Sequence, residues 1–194
     1  KGSGSDQAVA AMQKLSRLQG DELPRLLAAL DGAGPLAANY LRGSIEAIAD
    51  LARAGFRVAV ATNQSGVGRG LFSADTLAAI HDRMTKTVEA QGGRLDGVWF
   101  CPHGPADGCE CRKPLPGLLR QIEAHYGIPL RGKPVIGDSY RDLEAAWRVG
   151  ARAILVRTGN GPETERRLPA GAAVEVFTDL ASAAAALIAE TRIP

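Results

Sequence analysis

From about residue 43 to the C-terminus, apolar positions switch repeatedly between helical spacing and short β-rich runs. Ser44 opens a segment in which Ile45, Ile48, Ala49 and Leu51 recur at helical spacing, and Gly55 closes it. Phe56 to Ala61 reads as a strand that stops at Thr62-Asn63-Gln64-Ser65-Gly66. Ser73 begins a helix through about Ala90, ended by Gly92-Gly93, and Gly97 to Phe100 is a second strand. A helix follows Pro116 to about Tyr126, and Pro134 to Ile136 is a third strand ending at Gly137-Asp138. Asp142 to Val149 is a helix, Ala153 to Val156 and Val174 to Phe177 are strands, and Leu180 to Glu190 is a closing helix. Strands alternating with helices predict an α/β fold with a mostly parallel sheet covered on both faces.

Residues 1–42 follow a different pattern and form a separate N-terminal segment, with one domain over residues 43–194. Lys1 to Ser5 reads as a linker. Ala8, Ala11, Met12, Leu15 and Leu18 have helical spacing, and Leu23 to Leu30 and Leu36 to Leu41 predict two short helices broken at Gly32, Gly34 and Pro35.

Composition narrows the function classes. A chain of 194 residues supports one sizeable core. The net charge of +2 comes from interspersed charges with no basic stripe or interleaved aromatics, which argues against nucleic acid. No apolar run reaches membrane-spanning length, and the N-terminus lacks a signal-peptide pattern, so a soluble cytoplasmic protein is expected.

All three cysteines fall in one Cys-x-His-x5-Cys-x-Cys run, Cys101, His103, Cys109 and Cys111. None is left for a disulfide elsewhere, which fits a reducing compartment. Thiolates and an imidazole at this spacing, in a Gly- and Pro-containing stretch, read as a closed tetrahedral zinc loop.

In a parallel sheet, ligands bind beyond the carboxyl ends of the strands. The polar residues that fall there are Thr62-Asn63-Gln64-Ser65, Asp138-Ser139, and Arg112-Lys113 just past the zinc loop. Asp138 follows an apolar strand and a glycine, so its carboxylate projects where Mg²⁺ would find one oxygen ligand to share with phosphate and water. Asp142 is placed to orient Ser139 or a metal-bound water, or to cap the next helix. Lys113 can neutralise phosphate charge, while the Thr62 hydroxyl and the N–H groups of residues 63–66 suit a phosphoryl oxygen.

Ala61-Thr62-Asn63-Gln64-Ser65-Gly66, Cys101-Pro102-His103, Cys109-Glu110-Cys111-Arg112-Lys113-Pro114 and Val135-Ile136-Gly137-Asp138-Ser139-x-x-Asp142 together resemble the haloacid-dehalogenase (HAD) superfamily. Within it they are similar to the D-glycero-D-manno-heptose 1,7-bisphosphate 7-phosphatases and the histidinol-phosphate phosphatases. The resemblance implies a capless Rossmann-like sheet in which the zinc loop shapes the substrate site. It implies Thr62 as the phosphate-binding hydroxyl, Lys113 as the phosphate-site lysine and Asp138 as the Mg²⁺ ligand, with Asp142 behind it. Asn63, Gln64, Ser65 and Arg112 would hold substrate, and a small phosphosugar would be the partner of a monomeric enzyme. The implied reaction passes through an aspartyl-phosphate that water hydrolyses.

The family's first motif, Asp-x-Asp-Gly-Thr/Val at the end of a central strand, has no counterpart in this sequence. The nearest approach is Asp31-Gly32, which leaves Ala29 at the nucleophile position. A strand from the first forty residues, a strand from another chain, or a replaced N-terminal segment would each account for this. A catalytically silent phosphosugar or phosphate binder is the alternative function, and histidinol phosphate the alternative substrate.

Overall fold

In a computed structural model of the chain, residues 35–191 are described. The helices expected over residues 8–18 and 23–30, and Asp31-Gly32, lie outside the described residues.

The elements are helix α1 (Pro35–Arg53), strand β1 (Ala59–Asn63), a single turn α2 (Ser65–Gly68), α3 (Ala74–Ala90) and β2 (Gly97–Cys101). They continue with α4 (Gly117–Tyr126), β3 (Pro134–Gly137), α5 (Tyr140–Arg148), β4 (Arg152–Val156), α6 (Gly161–Arg166), β5 (Val174–Phe177) and α7 (Leu180–Glu190). β1 pairs in parallel with β2, and β3, β4 and β5 form a second parallel sheet in that order.

Both sheets belong to one layer, because alternate residues of each feed the same two hydrophobic faces. Val58 and Ile136 pack with Ala47, Leu51, Ile154, Val156, Ala183 and Leu187 under α1 and α7. Ala59, Ala61, Trp99 and Val135 pack with Leu119, Ile122 and Ala145 under α4 and α5. Leu143 and Leu155 are fully buried on that second side, where truncation of either to Ala would cost about 2–5 kcal/mol. This gives the expected parallel architecture with helices on both faces, although no ladder hydrogen bonds join β1 to β3 among the described residues.

Backbone direction identifies the facing edges. Asp96 N–H donates to Val58 C=O and Gln64 N–H to Cys101 C=O, so the even-numbered residues along β1 address β2. Ala59, Ala61 and Asn63 therefore turn the other way. On β3, Lys133 C=O accepts from Arg152 N–H, which leaves Pro134 and Ile136 addressing the edge away from β4. Pro134, with no N–H to donate, suits that edge.

Several element boundaries differ from the sequence reading. Ser44 does not start a helix, and Leu36 to Leu41 is not a separate one: a continuous α1 runs through Gly43, whose missing side chain would meet nothing within 4 Å. α1 thus also crosses residue 42. β1 starts at Ala59 and carries Thr62 and Asn63 within the strand, because its pairing with β2 continues to Cys101. α5 starts at Tyr140 with Ser139 as its N-cap, so Asp142 is its third residue. α6 was not expected at all: its six residues are too few to show a period.

Candidate active site

Most polar residues at the sheet edge are held by hydrogen bonds or an ion pair to another segment of the chain. The four potential ligand atoms of Cys101, His103, Cys109 and Cys111 lie within 4.8 Å of one another. Cys101 Sγ is 3.5 Å from His103 Nδ1 and 3.6 Å from Cys109 Sγ, and His103 Nδ1 is 3.3 Å from Cys111 Sγ. Ligands around tetrahedral zinc, at about 2.3 Å for sulfur and about 2.0 Å for nitrogen, stand roughly 3.5–3.8 Å apart along each edge. The cluster fits that geometry. Burial, together with the Cys101 and Cys109 thiols beside it, pushes the Cys111 thiol up to about 12. Three adjacent thiolates therefore need a cation to offset their charge.

The loop is fastened on both sides. Gly68 N–H donates to Pro102 C=O (3.0 Å), and a Cβ at Gly68 would come within 2.6 Å of that oxygen, so the α2 turn seats directly on the loop. Arg112 Nη1 donates to His103 C=O (3.0 Å), folding the guanidinium back against the ligand-bearing chain.

Lys113 is fixed at backbone and side chain alike. Asn63 Nδ2 donates to Lys113 C=O and Lys113 N–H donates to Asn63 Oδ1, both at 3.0 Å. Lys113 Nζ donates to Ala61 C=O (2.7 Å) and pairs with Asp142 Oδ1 at 2.6 Å. Since Ala61 addresses the edge away from β2, the ammonium bridges β1 to the start of α5 across the facing edges.

Asp142, 9% exposed, gives its other oxygen to Ser139: Oδ2 accepts from Ser139 N–H (3.1 Å) and from Ser139 Oγ–H (2.7 Å). It therefore both caps α5 and receives Lys113. The glycine before Asp138 makes this close approach feasible, because a Cβ at Gly137 would lie 2.3 Å from Asp142 Cβ.

Asp138 is held from the far side. Its Oδ2 accepts from Asn160 N–H (2.8 Å) and Asn160 Nδ2 (3.1 Å), and its C=O accepts from Thr164 Oγ1 (2.9 Å). Sequence reasoning missed Asn160 and Thr164. The signal was the turn cluster Thr158-Gly159-Asn160-Gly161-Pro162 directly after β4, at the same end of the sheet as Thr62 and Asp138.

The Thr62 to Ser65 segment lies beside Lys113, with several of its groups already engaged. Thr62 Oγ1 accepts from Gln64 Nε2 (3.2 Å), Gln64 N–H goes to Cys101 C=O (2.7 Å), and the Asn63 amide serves Lys113. The three segments expected to converge do so, through Lys113 to Ala61 on one side and through Asp142 to Ser139 on the other. Among the described residues, no helix is long and apolar enough to cross a membrane.

Comparison with known proteins gives a consistent picture. Residues 110–183 match the HAD-hydrolase-like family. The chain is 50% identical over 152 residues to a D-glycero-beta-D-manno-heptose-1,7-bisphosphate 7-phosphatase of Bordetella bronchiseptica, covering 77% of this chain and 84% of the relative. It is 52% identical over 146 residues to the enzyme of the same name from Pseudomonas aeruginosa, covering 75% and 81%. The crystal structure of a D,D-heptose 1,7-bisphosphate phosphatase from B. bronchiseptica, complexed with magnesium and phosphate, superposes with a TM-score of 0.74 at 49% identity, over 76% of this chain and 83% of that one. The corresponding enzyme of Burkholderia thailandensis gives a TM-score of 0.61 at 40% identity, over 75% and 84%.

Proposed function

This chain belongs to the heptose 1,7-bisphosphate 7-phosphatase family of HAD-like hydrolases, and we propose that it removes the 7-phosphate of D-glycero-D-manno-heptose 1,7-bisphosphate, releasing heptose 1-phosphate and inorganic phosphate. The observation that carries this reading is the Lys113 ammonium, fixed between Ala61 C=O, in the residue before Thr62, and Asp142, which caps the helix that follows Asp138. A doubly charged phosphoryl group at that edge would meet the Lys113 ammonium and the Thr62 hydroxyl, with Arg112, held on the zinc loop, left for the sugar side.

In this reading Thr62 and Lys113 bind the phosphoryl oxygens, and Gln64, Ser65 and Arg112 hold the sugar side of the substrate. Asn63 contributes by fixing the Lys113 backbone. Asp138 holds Mg²⁺, which supplies charge neutralisation at the phosphoryl group. Asp142 keeps Lys113 and Ser139 in place, and zinc at Cys101, His103, Cys109 and Cys111 orders the segment bearing Arg112. The phosphatase domain takes in residues 43–194 together with the start of α1 from Pro35, acting as a cytoplasmic monomer on a small phosphosugar with no nucleic acid or membrane partner.

One observation favours a second reading, a phosphosugar binder without turnover. Among the described residues, the two edge carboxylates are already committed, Asp142 to Lys113 and Ser139, and Asp138 to Asn160. Asp142 has both oxygens engaged, and Asp138 keeps only Oδ1, which the phosphatase reading assigns to the metal, so among the described residues neither is left to attack phosphorus. Steady-state phosphate release from heptose 1,7-bisphosphate with Mg²⁺, lost in Asp138→Asn, supports the phosphatase. Binding of inorganic phosphate without any release supports the binder, and preferential turnover of histidinol phosphate overturns the substrate assignment.

A further inference from the structure

We propose that Phe72 is a positioning residue for substrate: its ring packs on Gly66 and, together with the zinc loop at Gly68, fixes the turn that carries Gln64 and Ser65. The inference rests on the reading above, in which Gln64 and Ser65 hold the sugar side. It adds the residue that sets where they stand.

A turn as short as α2 does not hold its own shape. It has four residues, and its N-cap Gln64 makes no side-chain capping bond. Two contacts from outside replace the missing support. Gly68 N–H donates to Pro102 C=O (3.0 Å), and a Cβ at Gly68 would come within 2.6 Å of that oxygen. At Gly66 a Cβ would stand 2.2 Å from Phe72 Cε1 and 2.6 Å from Phe72 Cζ, so the ring occupies the space a side chain would take. Neither glycine has a positive φ, so each is needed for space and not for conformation.

The chain after α2 brings the ring back onto it. Gly70, at φ +66°, closes the turn in the left-handed region, with Gly70 N–H donating to Val67 C=O (2.9 Å) and Leu71 N–H to Gly66 C=O (2.8 Å). That pair of bonds is a Schellman closure. Phe72 follows at once and precedes Ser73, whose Oγ accepts from Thr76 N–H (3.1 Å) at the start of α3. The reversed chain and α3 thus anchor the ring from both of its neighbours in sequence. The phosphate side has separate supports. Thr62 and Asn63 are paired with β2, and Lys113 is held by Asn63, Ala61 and Asp142. Loss of the ring should therefore loosen the grip on the sugar and leave the grip on phosphate.

The test is calorimetric binding of inorganic phosphate and of heptose 1,7-bisphosphate to the full chain without added Mg²⁺, so that no turnover intervenes. Phe72→Ala should weaken bisphosphate binding by about tenfold, the effect of a small displacement of positioning groups, and keep phosphate within about twofold of wild type. Gly66→Ala should give the same selective loss, because its methyl meets the ring. Combined, the two changes should restore bisphosphate affinity to within about threefold of wild type, because the methyl enters the space the ring vacates. Zinc content and thermal melts check that each variant folds. Phe72→Leu, which keeps apolar bulk without the ring, stands in if Phe72→Ala does not fold, and should show the same selective loss at about threefold. Losses that add in the double variant, an equal loss for phosphate and bisphosphate, or no loss in any variant overturns the role of Phe72. Wild type binding the bisphosphate no more tightly than inorganic phosphate overturns the sugar-side assignment beneath it.

Discussion

Replacing Asp142 with Asn removes the charge facing Lys113 while keeping an oxygen for Ser139. In the native chain the Lys113 and Asp142 side chains are 16% and 12% exposed and 2.6 Å apart. Removing one partner of a buried pair costs about 3–5 kcal/mol, an exposed pair is worth about 0–1 kcal/mol, and this pair lies nearer the buried limit, at about 2–3 kcal/mol. Loss of a negative charge from the first turn of α5 adds about 0.3–1 kcal/mol. The total is about 3 kcal/mol, which for a domain of this size lowers Tm by roughly 6–12 °C. Urea unfolding and calorimetry measure both quantities. The decisive comparison is a double-mutant cycle with Lys113→Met, in which the cost of Asp142→Asn should shrink to about 1 kcal/mol because no ammonium is left uncompensated. The full loss persisting in the Lys113→Met background, or a single-variant loss below about 1 kcal/mol, would refute the reasoning.

Two other outcomes follow from the same structure. Metal analysis of protein purified without chelator should find about one zinc per chain, and Cys109→Ala should weaken inorganic phosphate binding by about tenfold, the worth of one charge-assisted hydrogen bond. Unchanged phosphate affinity in that variant would sever the zinc loop from Arg112 and Lys113. Arg152 hydrogen-bonds both Glu175 on β5 and Glu190 on α7 and holds their carboxyls below the usual carboxylate range. Depressed carboxyls stabilise the fold above their unfolded values of about 4.3, and that contribution disappears as pH falls through the lower folded values. Melting temperature measured from pH 7 to pH 3 should fall less steeply in Arg152→Met, and parallel curves would exclude the role.

Legibility in the sequence tracked how locally each element is specified. α7 was read at its true ends because small apolar residues fill the helix, and the structure adds an N-cap in which Asp179 accepts from Ser182 N–H. α3 was read from the Ser73 cap, which accepts from Thr76 N–H, and from Gly92 at φ +72°. The zinc loop was readable because its four ligands are neighbours in sequence. Contacts of high sequence separation were not. Asn63 clamps a backbone 50 residues away and Asn160 a carboxylate 22 residues away, and neither residue type states its partner. Ser44 misled in the other direction, since a residue suited to cap a helix also stands inside one, and the glycine before it costs the continuous α1 only about 1 kcal/mol. α6 lacked any periodic signal, although the turn-forming residues before it fell at the sheet end where the other polar segments were already placed.

The reciprocal amide contact between Asn63 and Lys113 bears on how this edge responds to an incoming anion. With its peptide groups saturated by a strand residue, Lys113 moves only through its own side-chain torsions, and Ala61 and Asp142 already occupy the ammonium. The electric field at the strand ends is thus established in advance, and an arriving anion meets charges that need little rearrangement before they act on it. Discrimination among anions then depends on how well each matches a fixed array, with little contribution from a protein that reshapes itself around them.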